Sequence, residues 1–457
     1  MQDQILRNFR SVVTNEFIAK SALKCKFSHR LTSRIDGIDF VRILIMQASS
    51  GLEMSYSNLN ATLRSVKPSI NISNQALAKY FYKQGSVDLM RSVYGKIFLY
   101  QKEKLLRDMA CANSTVLDTF NRVLIEDSTT CILNEKLETQ YKGSGGSASS
   151  SSLKIDVIHE LKTSTLLKIA ILQGNKPDAS SSNFILEEAQ AGDLVLRDLG
   201  YSKLEVLAQL TARNVYFISR FPPSVNVYLN KEDSTPVELG RHLQHKHRGQ
   251  KTIDLTVYLG RTKEKFRLIA YRIPAEASNE RRRKAKRTAV CQRRTASEAY
   301  LNLLDFVILI TNVPQEMIEA GVIGTIYRLR WGIELIFKTW KSQLKLQVNL
   351  TGYRATRIEC YVYTILILAL LTMVIWGWLK RVGLDVVGQE ISLERLSKWL
   401  VNRKGYSWLL WGSVLRLEKE LQSDLRVLKK QKRNRRTTLE RVALCESYSE
   451  KFMVANF

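Results

Sequence analysis

Tyr327, Arg330, Glu334 and Lys341 are the residues whose types and spacing invite chemistry. Wound on a helix at about 100° per residue, they share one stripe about 60° wide. Leu329, Ile333, Ile336, Phe337 and Trp340 form a separate apolar stripe beside it. A carboxylate flanked by Arg and Lys on one face of an amphipathic helix can hold a metal ion while the cations meet phosphate oxygens. A solvated face with one ordinary Glu–Lys pairing has the same pattern, so the helix alone leaves both readings open. Trp331 lies off the main apolar stripe, where a ring could stack on an unpaired base, but it is read here as packing.

Other basic segments point the same way. The run Arg281 to Arg294, headed by Arg281, Arg282, Arg283 and Lys284, has eight basic residues and no acid, which suits phosphate contact. Arg426 to Arg436 has seven basic residues and is read as phosphate-contacting or as a tail. His242, His245 and His247 stand close together without a Cys or acid at ligand spacing, so they read as a basic DNA-facing loop, not a metal site.

Composition agrees with a polyanionic partner. Lys plus Arg number 70 against 43 Asp plus Glu, for a net charge of +27, beyond what surface solubility requires. The basic residues are spread over several segments, so a long charged ligand such as nucleic acid could touch many at once; an anionic membrane is the competitor. With 457 residues, 45% of them apolar, the chain is long enough for about three domains with sizeable cores. Six scattered cysteines without a CxxC pair fit neither a zinc module nor a disulfide framework. With an N-terminus, MQDQILRNFR, that lacks a signal peptide's apolar stretch, they imply the cytoplasm. One run, Cys360 to Leu379, is twenty residues without a charge, long enough to span a membrane. It is the only such run and has basic segments on both sides; a transmembrane span and the central helix of a large basic enzyme read alike here, and the motif resemblance given below implies the core helix.

The elements that would position this chemistry read as follows. Apolar residues at helical spacing predict an all-α module up to about residue 110, in which Ser73 caps a short helix in a helix-turn-helix outline. From about 118 the pattern becomes β-like: NRVLIED, LKIDVIHEL and LLKIAILQG, the first two joined by a flexible hairpin connection over Gly143 to Ser152. A helical NFILEEAQ then leads into DLVLRDLGY, another strand, so strand and helix alternate as in an α/β layer. Four further strand-like runs between about 213 and 275 form a β-rich insert, followed by the strand LLDFVILITN and a continuous helical pattern to about 346.

The spacing of Tyr327, Arg330, Glu334 and Lys341 is the Y(2)R(3)E(6)K signature of transposases of the IS-four insertion-sequence family, which the chain resembles. The resemblance asks for two upstream aspartates at strand ends. Asp127, in NRVLIEDST, is similar to the family's first aspartate with its small hydroxyl neighbour Ser128; Asp198, in a DxGY context, is similar to the second. Glu126 competes with Asp127, but strand alternation turns it to the opposite face. Asp193, Glu187 and Glu188 compete with Asp198 from a preceding helix and turn.

By resemblance, Asp127, Asp198 and Glu334 would hold two Mg²⁺ or Mn²⁺ ions for in-line displacement at phosphorus. Arg330 and Lys341 would hold the terminal phosphate, and Tyr327 would contact the backbone nearby. The implied fold is α/β: an RNase H-like catalytic core, residues 113–212 and 300–380, interrupted by a β-rich insertion at 213–299. A helical DNA-binding domain, 1–112, and a helical basic region, 381–457, would flank it. The implied activity is cut-and-paste transposition of a bacterial element, through a hairpin intermediate. Its partners would be double-stranded DNA, at the terminal inverted repeats and the target, and a second copy of the chain on paired ends, with no membrane and a nucleoid location. The rivals are a nuclease or inactive domesticated DNA binder of the same fold and, from another class, a membrane-anchored basic protein.

Overall fold

The computed structural model describes residues 11–27, 34–105, 116–145, 149–387 and 390–429, and shows a mixed α/β protein. It divides into two compact units. The first draws on the described residues of stretches 11–105, 128–176 and 331–429, the second on those of 116–127 and 177–330. Among the described residues, nine strands run in chain order: β1 Val123–Ile132, β2 Ser152–Glu160, β3 Thr165–Gln173, β4 Leu194–Arg197, β5 Tyr216–Arg220, β6 Val227–Tyr228, β7 Thr252–Leu259, β8 Glu264–Arg272 and β9 Phe306–Thr311.

The first unit begins with helices, as expected. Helices Asn15–Lys24, Gly37–Ala48, Tyr56–Val66 and Asn74–Tyr80 start at Thr14, Asp36, Ser55 and Ser73. Each of these N-caps accepts a hydrogen bond from an otherwise unpaired amide of the first turn, at 2.8–3.2 Å. Ser73 is thus the cap that the sequence suggests.

The apolar run falls in the long helix Ala355–Val387, and the most apolar part of Ala355–Lys380 is 89% buried within the protein. It packs against helices Gln84–Tyr100 and Gly37–Ala48 and against β3. Arg91 Nε donates to the Tyr363 hydroxyl at 2.9 Å, and Tyr361 donates to the Met54 carbonyl at 2.6 Å, which ties its polar edge to the N-terminal helices. Among the described cysteines, Cys25, Cys131, Cys291 and Cys360 are free; Cys111 and Cys445 lie outside the described residues.

β2 and β3 form an antiparallel hairpin in this unit. Its turn is held by Glu160, whose carboxylate accepts from the amides of Lys162 and Thr163 at 3.1 and 2.6 Å. Beside it, at a register shift in β2, lies His159, fully buried, with no hydrogen-bond partner on either ring nitrogen among the described residues. Burial, with Lys380 nearby, lowers its pKa from 6.5 to about 3. The folded protein therefore refuses a proton that the unfolded chain accepts below about pH 6.5. Stability is intact above that pH and is lost as the pH falls towards 3, by about 2 kcal/mol at pH 5. Urea unfolding at pH 7 and pH 5 should show this loss, and His159→Leu should shrink it; an unchanged pH dependence in that variant would remove His159 as its cause.

In the second unit the first half of β1 pairs in parallel with β4, and β4 in parallel with β5. The β4–β5 crossover contains helix Leu204–Ala212, as a parallel pair requires. β5, β9, β8, β7 and β6 then follow side by side, all antiparallel. The strand-like runs of the expected insert therefore continue the same sheet as β4. The histidine segment is a helix, Leu239–Lys246, rather than a loop, because Leu239, Gly240 and Leu243 bury one face of it.

The basic run also lies on a helix, Ala275–Cys291. Asp305, just before β9, anchors it: Arg282 pairs with this carboxylate at 2.8 Å, and Ser278 and Gln244 also hydrogen-bond to it. Most of the Arg426 to Arg436 run lies outside the described residues.

Candidate active site

β1 and β4 run in parallel with Val123 opposite Leu194 and Glu126 opposite Arg197. The next residue on each strand is an aspartate, so Asp127 and Asp198 leave the paired stretch level with one another. Neighbouring strands lie about 4.8 Å apart, which brings two carboxylates within reach of one cation. Alternation separates them from the preceding pair: Glu126 and Arg197 are wholly buried, while Asp127 and Asp198 are part-exposed. Asp198 follows β4 directly, as a strand-end residue should. Asp127 does not end its strand; it is the fifth residue of ten, because β1 continues as far as Ile132 after its pairing with β4 stops.

Two of the signature residues meet these aspartates within the second unit. Arg330 Nη1 donates to Asp127 Oδ2 at 3.2 Å, an ion pair with side chains 14% and 20% exposed. The Tyr327 hydroxyl donates to the Arg197 carbonyl at 3.2 Å and approaches Asp198 Oδ1 at 3.4 Å. Burial, and then the Asp198 charge, raise the Tyr327 pKa, so the phenol keeps its proton. One rival, Asp193, has structural work elsewhere: it is buried at the start of β4, paired with Arg122 at 2.5 Å and accepting from the Gln190 amide.

The expected single helix is three elements: an α-helix Ala320–Arg328, a 3₁₀ turn Leu329–Trp331 and an α-helix Gly332–Ser342. A 3₁₀ turn advances about 120° per residue, so roughly 60° of phase accumulates and the four residues do not share one straight stripe. The chain passes from the second unit to the first between Arg330 and Trp331. Glu334 stands in the first turn of the helix in the first unit, and Lys341 in its last turn, where its Nζ donates to the Thr130 carbonyl of β1 at 3.0 Å. The apolar stripe behaves as expected, with Leu329, Ile333, Ile336, Phe337 and Trp340 all buried. Trp331, read as packing, is instead 54% exposed: it lies off the apolar stripe, whereas Leu329 of the same 3₁₀ turn lies on it and is buried.

Of the four basic residues singled out ahead of β9, Arg281 and Arg282 are turned inward. Arg281 donates to the Phe306 carbonyl, and Arg282 to the Leu301 carbonyl and Asp305. Arg283 and Lys284 are exposed, as are Lys286 and Arg287.

A residue that sequence reasoning missed is Arg220. It ends β5, and the register of Arg197 opposite Ser219 puts it level with Asp198. Its charge bears on Tyr327 and also lowers the pKa of Arg281, after burial. A cation directly ahead of Phe221, Pro222 and Pro223, where a strand must stop, was the available signal.

Among the described residues, no group of three or more His, Cys, Asp or Glu side chains forms a ready-made metal site. The donor chemistry of Asp127 and Asp198 still fits Mg²⁺ or Mn²⁺, hard ions commonly bound through one or two carboxylates, with water and phosphate completing the shell.

The sequence matches the Transposase DDE domain family over residues 118–371, a stretch that contains every one of these residues. The chain belongs to the DDE transposases, enzymes that cleave DNA and transfer the cut strands. Relatives narrow the assignment to insertion-sequence transposases of the IS-four type. The chain is 30% identical over 366 residues to the transposase for insertion sequence element IS231B of Bacillus thuringiensis subsp. berliner, covering 77% of this chain and 75% of that one. It is likewise 30% identical over 390 residues to the transposase for IS1151 of Clostridium perfringens, covering 82% and 81%.

Proposed function

We propose that this transposase excises and inserts its element by a cut-and-paste route, with Asp127, Asp198 and Glu334 holding two Mg²⁺ or Mn²⁺ ions. The observation that carries the reading is the β1–β4 register, which brings two aspartates level beside Arg330 and Tyr327. The signature spacing supports Glu334 as the third carboxylate, four residues beyond Arg330. When bound, the ions supply the Lewis acidity that generates a nucleophile from water and neutralises charge on the attacking and leaving oxygens.

The chain's own residues do the rest. Asp127, Asp198 and Glu334 hold the reaction centre; Arg330 and Lys341 offer N–H donors to the phosphate at the element's end; Tyr327, kept protonated, donates a hydrogen bond and orients Asp198. The liberated 3′-hydroxyl then attacks the phosphorus on the opposite strand, closing a hairpin and releasing the flanking DNA with a 3′-hydroxyl; water opens the hairpin to free the element's 3′-hydroxyl again, which attacks a target phosphorus and displaces a target 3′-hydroxyl. The fold in this reading is RNase H-like with a β-rich insertion, and the domains are those set out from the sequence. The protein acts as a dimer on paired terminal repeats, in the bacterial cytoplasm at the nucleoid.

The test is incubation of the purified protein, with Mg²⁺ or Mn²⁺, with DNA carrying the sequences that flank its own gene. Metal-dependent cleavage at the repeat ends supports the reading; binding without cleavage would favour an inactive DNA binder, and cleavage without joining a nuclease.

The outer face of helix Ala275–Cys291 should contribute phosphate contacts through Arg283, Lys284 and Arg287. Replacing one such cation by Ala should reduce the slope of log K against log salt by about 0.9, with little change in sequence preference. Arg282→Ala should instead lower the melting temperature, because Asp305 loses its cationic partner. Equal salt slopes in wild type and in the triple alanine variant would remove this face from the DNA path.

A further inference from the structure

We propose that the buried Glu126–Arg197 ion pair is the positioning element of the active site: it locks β1 to β4 one residue before each aspartate and so sets the separation and aim of Asp127 and Asp198. The inference rests on the reading of these two aspartates as metal ligands.

Glu126 Oε2 accepts from Arg197 Nη2 at 2.7 Å, and both side chains are wholly buried. Burying two full charges is costly, and well-packed apolar residues of similar volume commonly stabilise a core as well or better. Stability is therefore a weak reason for this pair. Register is a better one, because a one-residue slip of either strand would turn its aspartate into the core and its buried charge outward.

Further contacts of Arg197 extend the same control to the chain that leaves β4. Its Nη2 also donates to the carbonyl and hydroxyl oxygens of Ser182, at 2.9 and 3.1 Å. The Ser182 hydroxyl donates in turn to the Tyr201 carbonyl at 3.2 Å, and the guanidinium lies 5.8 Å from the centre of the Tyr201 ring. Tyr201 closes the 3₁₀ turn that begins just after Asp198. The Arg197 side chain thus fixes that turn, while the Arg197 carbonyl accepts from Tyr327, which also approaches Asp198. Asp198 is held between two anchored neighbours, and Asp127 follows the residue that anchors β1. Outer partners that orient metal-binding side chains commonly change metal affinity or activity by about 10–100-fold when removed.

The experiment uses the full chain, with Glu126→Met/Arg197→Met as the main variant and wild type and Asp198→Asn as references. Mn²⁺ affinity is measured without DNA by titration of the free-ion paramagnetic resonance signal, and strand cleavage is measured against Mn²⁺ concentration. We expect the double variant to melt close to wild type, to bind Mn²⁺ about 10–100-fold more weakly and to need correspondingly more Mn²⁺ to cleave.

A folded double variant with wild-type Mn²⁺ affinity and metal dependence would overturn the proposal, leaving the pair as core filler. Should the double variant not fold, Glu126→Asp and Arg197→Lys keep the charges but lose reach: weakened Mn²⁺ binding in these folded variants supports positioning, and unchanged binding overturns it. If Asp198→Asn binds Mn²⁺ as wild type does, the metal-ligand reading itself has failed, a result separable from failure of the pair.

Discussion

Asp198→Asn, Asp127→Asn and Glu334→Gln should each reduce metal-dependent cleavage at the element's ends by on the order of 10⁴-fold, while DNA binding stays near wild type. The amide keeps the shape of the carboxylate, and in Asp198→Asn the amide oxygen could still receive the Tyr327 hydroxyl, so the fold has no reason to change. What disappears is the negative charge and one hard oxygen donor, which the proposed ions need. The level placement of Asp127 and Asp198 makes the two aspartate effects inseparable, so the double variant should be scarcely worse than either single one. Cleavage at wild-type rate in any of the three would remove that residue from the site, and additive losses would argue against a shared metal centre.

Arg330→Ala should have the next largest effect, a fall of about 10²–10³-fold in cleavage at saturating DNA, the scale seen when one preorganised donor to a developing charge is lost. Arg330 is only 14% exposed and is aimed by its ion pair with Asp127, so its guanidinium needs little reorganisation to meet a phosphate beside that carboxylate. Arg330→Lys should recover only part of the loss, because an ammonium is a point charge and cannot present a planar fork. The same truncation should cost about 1–3 kcal/mol of stability through Asp127, visible as a lower melting temperature. Cleavage unchanged with stability reduced would make Arg330 a structural residue; cleavage reduced only at low DNA concentration would make it a binding residue.

Part of the arrangement of the candidate site was legible before any coordinates. Tyr327 and Arg330 lie one helical turn apart, and both meet aspartates because that local spacing survives the change from α to 3₁₀ geometry. Glu126 was correctly turned away from Asp127 by alternation alone, since side-chain direction in a strand has period two whatever the strand pairs with. The break at Leu329–Trp331 was not legible: apolar periodicity is tolerant of a slip of about 60° over one turn, and both flanking helices keep their buried faces.

Local physics in the chain determined the element types, the capped helix starts and which side chains are candidates for chemistry, because period, capping chemistry and ionisable groups are all written within a few residues. Long-range pairing decided the rest. Arg281 and Arg282 look like Arg283 in a basic run, but their direction depends on Asp305 and Phe306 across the fold. Arg220 acquires meaning only when β5 is laid beside β4, and Glu126 and Arg197, 71 residues apart, become partners only in the parallel register. Such contacts depend on which strands neighbour each other, and that is settled by the burial of whole faces rather than by any short stretch of sequence.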